Sequence, residues 1–246
     1  MNGDSGKAMD STFGRQPVTA DERKKRIRRV FDDVAARYDL MNDLMSFGIH
    51  RLWKRRLAAD LPGRGLFVDL AGGTGDVAAL LMRGAGRQVL VIDPSMPMMN
   101  EGRRKHEAMP IRWLAGEAEQ LPLPDASADG LAVAFGLRNA TCLEAALAET
   151  VRVLKPGGVF ACLEFSRPLK WLRPFYEPYS FHVIPRLGAW VAGNPAAYRY
   201  LVESIRNFPD QQGFAAMLEA AGLAAVGWRN LSFGIACIHR GIKPPA

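Results

Sequence analysis

The stretch Phe67-Val68-Asp69-Leu70-Ala71-Gly72-Gly73-Thr74-Gly75-Asp76-Val77 constrains this chain more than any other. An apolar run ends in an acid, passes through three glycines and turns helix-like from Val77 to Met82. That order describes a buried strand, a tight turn and a helix start, the opening βα unit of a doubly wound α/β domain. Glycine suits the turn because it reaches positive φ freely and has no Cβ to hold a ligand off the backbone. A second apolar strand, Gln88 to Asp93, ends in another acid. Asp93 falls about twenty residues past the glycines, where a carboxylate can grip ribose hydroxyls. The pattern asks for a cofactor that carries a nucleoside.

Gly73-Thr74-Gly75-Asp76-Val77-Ala78 also satisfies the dinucleotide pattern G-x-G-x-x-A, so this motif alone leaves NAD open. The surrounding residues favour S-adenosylmethionine (SAM). Methyltransferases of this architecture open with acid-x-Gly-x-Gly-x-Gly, which Asp69, Gly73 and Gly75 match, with Ala71 in the first glycine position and Gly72 beside it. SAM carries a sulfonium and an ammonium, which suit a loop flanked by Asp69 and Asp76. A pyrophosphate would be repelled by the same pair.

At 246 residues, 48% of them hydrophobic, the chain can bury one sizeable core. No apolar run is long enough to cross a bilayer and no signal-peptide core is visible, so a cytoplasmic protein is expected, peripheral at most to the inner membrane. Cys142, Cys162 and Cys237 stand far apart without a C-x-x-C, and the histidines are scattered; reduced thiols and no metal site are expected. The net charge of +7 is uneven: residues 1–60 hold 13 Lys/Arg against 9 Asp/Glu. The excess sits in Arg23-Lys24-Lys25-Arg26 with Arg28 and Arg29. Such a cluster can be a solvated helix face, a contact for anionic lipid, or a contact for nucleic acid.

Residues 1–18 are polar and without period, which predicts a disordered tail. A helical cap is expected over residues 19–61. Thr19-Ala20-Asp21-Glu22 is a capping box, opening a helix with Ile27, Val30, Phe31, Val34 and Tyr38 on one face. Tyr38 to Asp43 should break that helix. His50 to Leu61 predicts another, with Leu52, Trp53 and Leu57 inward and Arg51, Lys54, Arg55 and Arg56 on a cationic face. Both helices would lie over the carboxyl edge of the sheet. The core, residues 66–165, continues with a helix from Ser95 to Glu107, whose Met96, Met98 and Met99 fill core or reach the site mouth. Strands are expected over Ile111–Leu114, Gly130–Phe135 and Val159–Phe165, with a helix from Leu143 to Leu154 stopped by Lys155-Pro156-Gly157-Gly158. Residues 166–208 leave this rhythm. The span 165–208 contains ten of the 22 aromatics, which fits a lid over a large apolar ligand; a dimer interface or satellite core is the competing reading. Residues 209–243 predict a helix over Gln212–Ala221 and a strand pair, Val226–Leu231 with Ile235–Arg240. That pair favours a mostly parallel seven-stranded methyltransferase sheet with an antiparallel last strand.

Several segments go beyond the general pattern: Val30-Phe31-Asp32 through Arg37-Tyr38-Asp39, Met41 through Lys54, Asp69 through Asp76, Phe135-Gly136-Leu137-Arg138-Asn139, Tyr179-Ser180-Phe181-His182, and Tyr198-Arg199-Tyr200-Leu201 with Glu203-Ser204-Ile205-Arg206. In these the chain resembles the ubiquinone/menaquinone biosynthesis C-methyltransferases, the UbiE family, over roughly residues 28–243. The cap and lid segments carry more of the resemblance than the glycine loop, and the family also shows Ala71. The resemblance implies that Thr74, Asp93, Glu117 and Ala118 contact SAM. Glu117 stands where relatives often have Asn, and Ala134 where many have Ser.

The implied reaction methylates a ring carbon of a polyprenylated quinol. Such a carbon becomes a better nucleophile when the adjacent hydroxyl loses its proton, so the site needs a proton acceptor and a group that stabilises the phenolate. Arg138 is the expected stabiliser and Asn139 the group that orients the ring; a salt bridge closing the cap is the other reading of Arg138. Tyr38, Asp39 and His182 are the candidates for proton acceptor, and the choice among them stays open. A polyprenyl tail dissolves in the bilayer, so the basic helix and the aromatic lid suggest transient docking there. A nucleic-acid methyltransferase would want Asn/Asp-Pro-Pro-aromatic or a Pro-Cys nucleophile, and a NAD oxidoreductase a Tyr-x-x-x-Lys set; none occurs. A methyltransferase for another phenol, or a non-catalytic scaffold of the same fold, is left as the alternative.

Overall fold

The computed structural model describes residues 12–13, 16–35, 38–174 and 195–245. Ahead of the sheet stand α1 (Ala20–Val34), α2 (Tyr38–Ser46) and α3 (His50–Ala59). The alternating core follows as β1 (Gly65–Leu70), α4 (Asp76–Leu81), β2 (Arg87–Asp93), α5 (Met96–Lys105), β3 (Ile111–Ala115), β4 (Ala128–Ala134), α6 (Leu143–Val153) and β5 (Leu154–Phe165). The chain ends with α7 (Pro195–Asn207), α8 (Gln211–Ala220), β6 (Ala224–Leu231) and β7 (Ala236–Ile242).

Seven strands form one sheet in the order β3-β2-β1-β4-β5-β7-β6. Strands β1 to β5 pair in parallel, and β7 runs antiparallel between β5 and β6. The strand order reverses at β1, so the loops after β1 and β4 part there and leave a crevice at the carboxyl edge. Each face of the sheet is covered. Leu131 and Val133 point to a layer with Leu143, Leu147, Phe214 and Leu218, from α6 and α8. Ala132 points to the other, with Trp53, Leu57, Val77 and Leu81 from α3 and α4. The alternation along β4 is the two-residue period of a strand buried on both faces.

Three helix starts carry side-chain caps. Thr19 Oγ1 accepts from the Glu22 amide at 3.3 Å, Ser95 Oγ from Met98 at 3.3 Å, and Asp210 Oδ1 from Gly213 at 2.9 Å. Three expectations are corrected. Tyr38 to Asp43 does not break a helix but opens α2. On α3, Leu52 is 58% exposed whereas Lys54 is buried, because positions 54, 57 and 58 share the inward face and the Lys54 ammonium finds a carboxylate there. Lys155-Pro156-Gly157-Gly158 does not precede β5 but bulges it: Ala128 pairs with Leu154 and Gly130 with Val159. Cys162 and Cys237 are buried and Cys142 partly so, all free. Among the described residues no cluster of metal-ligating side chains occurs, and no helix is long and apolar enough to cross a membrane.

Candidate active site

The end of β1 delivers Asp69 into the crevice. Its Oδ2 accepts from the Ala78 amide at 2.8 Å, while Oδ1 is buried with no hydrogen-bond partner among the described residues. Burial lifts its carboxyl to about 7 against that one stabilising amide. At the end of β2, Asp93 accepts from the Gly73 amide at 2.9 Å and the Ser95 amide at 2.8 Å, and burial lifts it to about 6. The glycine turn between them is tight. A Cβ on Gly73, whose φ is +54°, would come within 2.8 Å of the Met98 methyl, and one on Gly75 within 2.6 Å of the Trp113 indole. Gly75 therefore serves packing, and unlike Gly72 and Gly73 it does not line the cavity.

The cap is fastened to this turn by charge. Thr74 Oγ1 donates to Asp39 at 3.1 Å, Lys105 bridges Asp39 and Asp76, and Lys54 reaches Asp76 at 2.8 Å. Burial alone would raise the Asp76 carboxyl, but the two ammoniums outweigh it and hold the group well below the usual range. Asp76 is thus already neutralised by lysines, and Asp69 and Asp93 are the acids that a cationic ligand would meet. The basic stretch of α1 is also engaged. Arg23 is buried and donates to the Ala140 carbonyl at 2.8 Å, Arg26 pairs with Glu22, and Arg28 pairs with Glu117 at 2.7 Å. Ser95 Oγ donates to Asp32 at 2.6 Å, adding another tie between α1 and the sheet edge.

The opposite wall is the loop after β4. Arg138 is buried, and its Nη1 donates to Glu164 Oε2 at 2.9 Å and to the Phe135 carbonyl. Burial raises Glu164, with the guanidinium opposing. Arg138 does not line the cavity, whereas Asn139 does, and Asn139 Oδ1 accepts from the Tyr200 hydroxyl at 2.9 Å. Tyr200 is buried and its hydroxyl is pushed up to about 12, so it stays a donor. Tyr38 closes the cavity from the cap, 6.1 Å from the Phe31 ring. Glu117, Ala118, Ala134 and Thr74 also line it; Asp39 reaches it only through Thr74. His182 lies outside the described residues, as do residues 175–194 of the aromatic segment around it. Met98 lines the cavity, Met99 is core and Met96 is 45% exposed. Lys54, Lys105 and Tyr200 are site residues that the sequence alone does not point to. Lys105 carries no local mark beyond a basic helix turn, whereas Lys54 and Tyr200 lie in segments that carry the family resemblance but mark no role for them.

The cavity encloses about 1060 Å³ of empty space, part of it open to solvent. The donor set fits SAM: an unpartnered buried carboxylate oxygen at Asp69, a second acid at Asp93, and a turn at which Gly73 leaves no room for a side chain. Residues 19–243 match the profile described as the ubiE/COQ5 methyltransferase family. A ubiquinone/menaquinone biosynthesis C-methyltransferase UbiE of Rubrivivax gelatinosus is 62% identical over 97% of this chain and 95% of its own. The protein of the same name from Caulobacter vibrioides strain NA1000 is 47% identical over 94% and 97%. Among solved structures, a SAM-dependent methyltransferase of Thermotoga maritima aligns with a TM-score of 0.65 at 20% identity, over 88% of this chain and 99% of that one. A Haemonchus contortus phosphoethanolamine N-methyltransferase in complex with SAM aligns at 0.55 and 11% identity, over 74% and 50%. At such identities these structures speak for the fold alone.

Proposed function

The chain belongs to the ubiE/COQ5 methyltransferase family and is a SAM-dependent C-methyltransferase; we propose that its acceptor is a polyprenylated quinol, methylated on a ring carbon, and that Tyr38 and Asn139 seat that ring. The observation that carries this reading is the cavity itself. Its lining brings together Asp69, Asp93 and the glycine turn with Ile27, Phe31, Tyr38, Phe135 and Asn139.

When bound, SAM supplies an electrophilic methyl on a sulfonium. Asp69 and Asp93 would hold its cationic and ribose ends, with Gly72, Gly73 and Thr74 lining the site between them and Glu117 and Ala118 beside the adenine. Phe31, Ile27 and Phe135 exclude water and present an apolar bed to the acceptor ring. Positioning of this kind can contribute roughly 7–11 kcal/mol in favourable cases. Tyr38 and Asn139 hydrogen-bond the ring oxygens, and Tyr38 is the candidate on the described wall for relaying the hydroxyl proton, taking it as its own passes to water. Asp39 acts through Thr74. Arg138 acts through Glu164 and the Phe135 carbonyl, as a positioning residue for Phe135 and Asn139.

The tail dissolves in hydrocarbon, so the enzyme must meet its acceptor at a membrane surface, on the cytoplasmic side if SAM is drawn from there. The test is incubation with labelled SAM and a panel of demethylated quinols, with simpler phenols as controls, and identification of the product by mass. Transfer to quinols in preference to the phenols is expected; transfer to the phenols alone would assign a different acceptor.

A further inference from the structure

Past β5 the chain runs Ser166-Arg167-Pro168-Leu169-Lys170-Trp171-Leu172-Arg173. Leu169 is 44% and Trp171 57% exposed, with Arg167, Lys170 and Arg173 exposed around them. Trp171 meets Phe233 edge-on at 5.3 Å, and Phe233 is itself 60% exposed. Phe233 lies in the turn from β6 to β7 at φ +57°, after Ser232 at φ +44°. Left-handed backbone is unfavourable for a bulky side chain and points to a use for the ring it displays. The Leu169 amide donates to the Phe233 carbonyl at 2.9 Å and fixes the two segments together.

This surface lies at the same edge as the cavity, because Ala236 pairs with Phe165 at the carboxyl end of β5. Trp53 connects the two: its Nε1 donates to Ser232 Oγ at 3.1 Å, and its ring stands 6.3 Å from Phe135, which lines the cavity. We infer that Leu169, Trp171 and Phe233, flanked by Arg167, Lys170 and Arg173, form a docking face for an anionic lipid bilayer. Indole and phenyl rings settle at the headgroup level, and each nearby cation adds attraction to anionic lipid. A second copy of the chain fits less well, because a two-fold contact would set the same cations against each other. In the described residues the acid facing them is Asp210, 3.7 Å from Arg167. The inference rests on the quinol reading, since an acceptor dissolved in hydrocarbon is what brings the enzyme to a membrane. It also moves the contact away from α1, whose Arg23 and Arg28 already tie the cap to the sheet edge and whose Arg26 pairs with Glu22 within the helix.

The test is co-flotation of the full chain with vesicles of phosphatidylglycerol and phosphatidylcholine, against phosphatidylcholine alone. Wild type should float with the anionic vesicles. Lys170→Glu with Arg173→Glu should lower vesicle affinity about tenfold or more, and Trp171→Ser with Phe233→Ser should do the same. Both variants should keep turnover of a quinol bearing a short, water-soluble tail, which shows that they fold. Lys25→Glu with Arg29→Glu should float as wild type does. The inference is overturned if wild type does not float, if the patch variants float unchanged, if the 25/29 variant alone is lost, or if the patch variants instead split a dimer. Flotation as expected with no quinol turned over would keep the docking face and discard the acceptor.

Discussion

Burial holds the Asp69 carboxyl up at about 7 and the Asp93 carboxyl at about 6, so both titrate in a range where enzymes are assayed. A raised folded-state value means that the folded chain keeps these protons more tightly than the unfolded one. The stability that this contributes is full below about pH 4 and is lost as pH rises through 6 to 7. A cationic ligand prefers the ionised carboxylates and has the opposite slope. SAM affinity, measured by calorimetry, should therefore strengthen about tenfold from pH 5.5 to 8, and Asp93→Asn should flatten that dependence as well as weaken binding. Ala71 and Gly136 make a second residue-level case. Ala71 sits at φ +51°, and a Cβ on Gly136 would come within 2.5 Å of the Ala71 methyl. Gly136→Ala should cost roughly 1–3 kcal/mol by overpacking, read as a lowered melting temperature. Asp69, Asp93 and the glycines were legible in the sequence because a strand, an acid and a turn are contiguous. The opposing glycine was not, since nothing local says that position 136 touches position 71.

Among elements, the attachment of the cap decides whether the cavity is closed. Lys54 and Lys105 come from α3 and α5, Asp39 from α2 and Asp76 from the start of α4, and together they bind cap to turn. Lys54→Met should destabilise the chain by about 1–2 kcal/mol, because the part-buried Asp76 is left with Lys105 as its remaining lysine partner; thermal denaturation reads it. Tyr200→Phe addresses the other wall. It removes the hydroxyl that holds Asn139 and should lower kcat several-fold while leaving the SAM Kd unchanged, a split that mere loss of fold would not give. Arg138→Ala should abolish most turnover and leave SAM affinity nearly intact; unchanged turnover would remove Arg138 from the site's support. Helices α1, α3, α5, α6 and α8 were readable from capping residues or periodicity, whereas α2 and α7 were not. Their partners were not: Lys54 looks like any surface cation until the fold sets it against Asp76, 22 residues away. The expectation that Tyr38–Asp43 breaks the helix failed because an acidic turn looks the same whether it ends one helix or starts another.

For the whole molecule, a strand order that reverses at β1 brings the ends of β1, β2 and β4 to one edge, and the cap then covers that edge. The βα rhythm and the terminal hairpin made this topology legible, because each strand is a short apolar run with a turn behind it. The Pro-Gly-Gly segment was misplaced because a bulge inside a strand and a turn before one use the same residues. Residues 175–194 of the expected aromatic lid, His182 among them, fall outside the described residues. Under the proposed reading, the cap and sheet edge together make a site for putting a methyl group on carbon, and locating that group is the most direct test. With SAM labelled in its methyl group and a demethylated, polyprenylated quinol as acceptor, NMR of the product should show the label on a ring carbon. A label on a quinol oxygen, or no transfer from SAM that the protein demonstrably binds, would contradict the account.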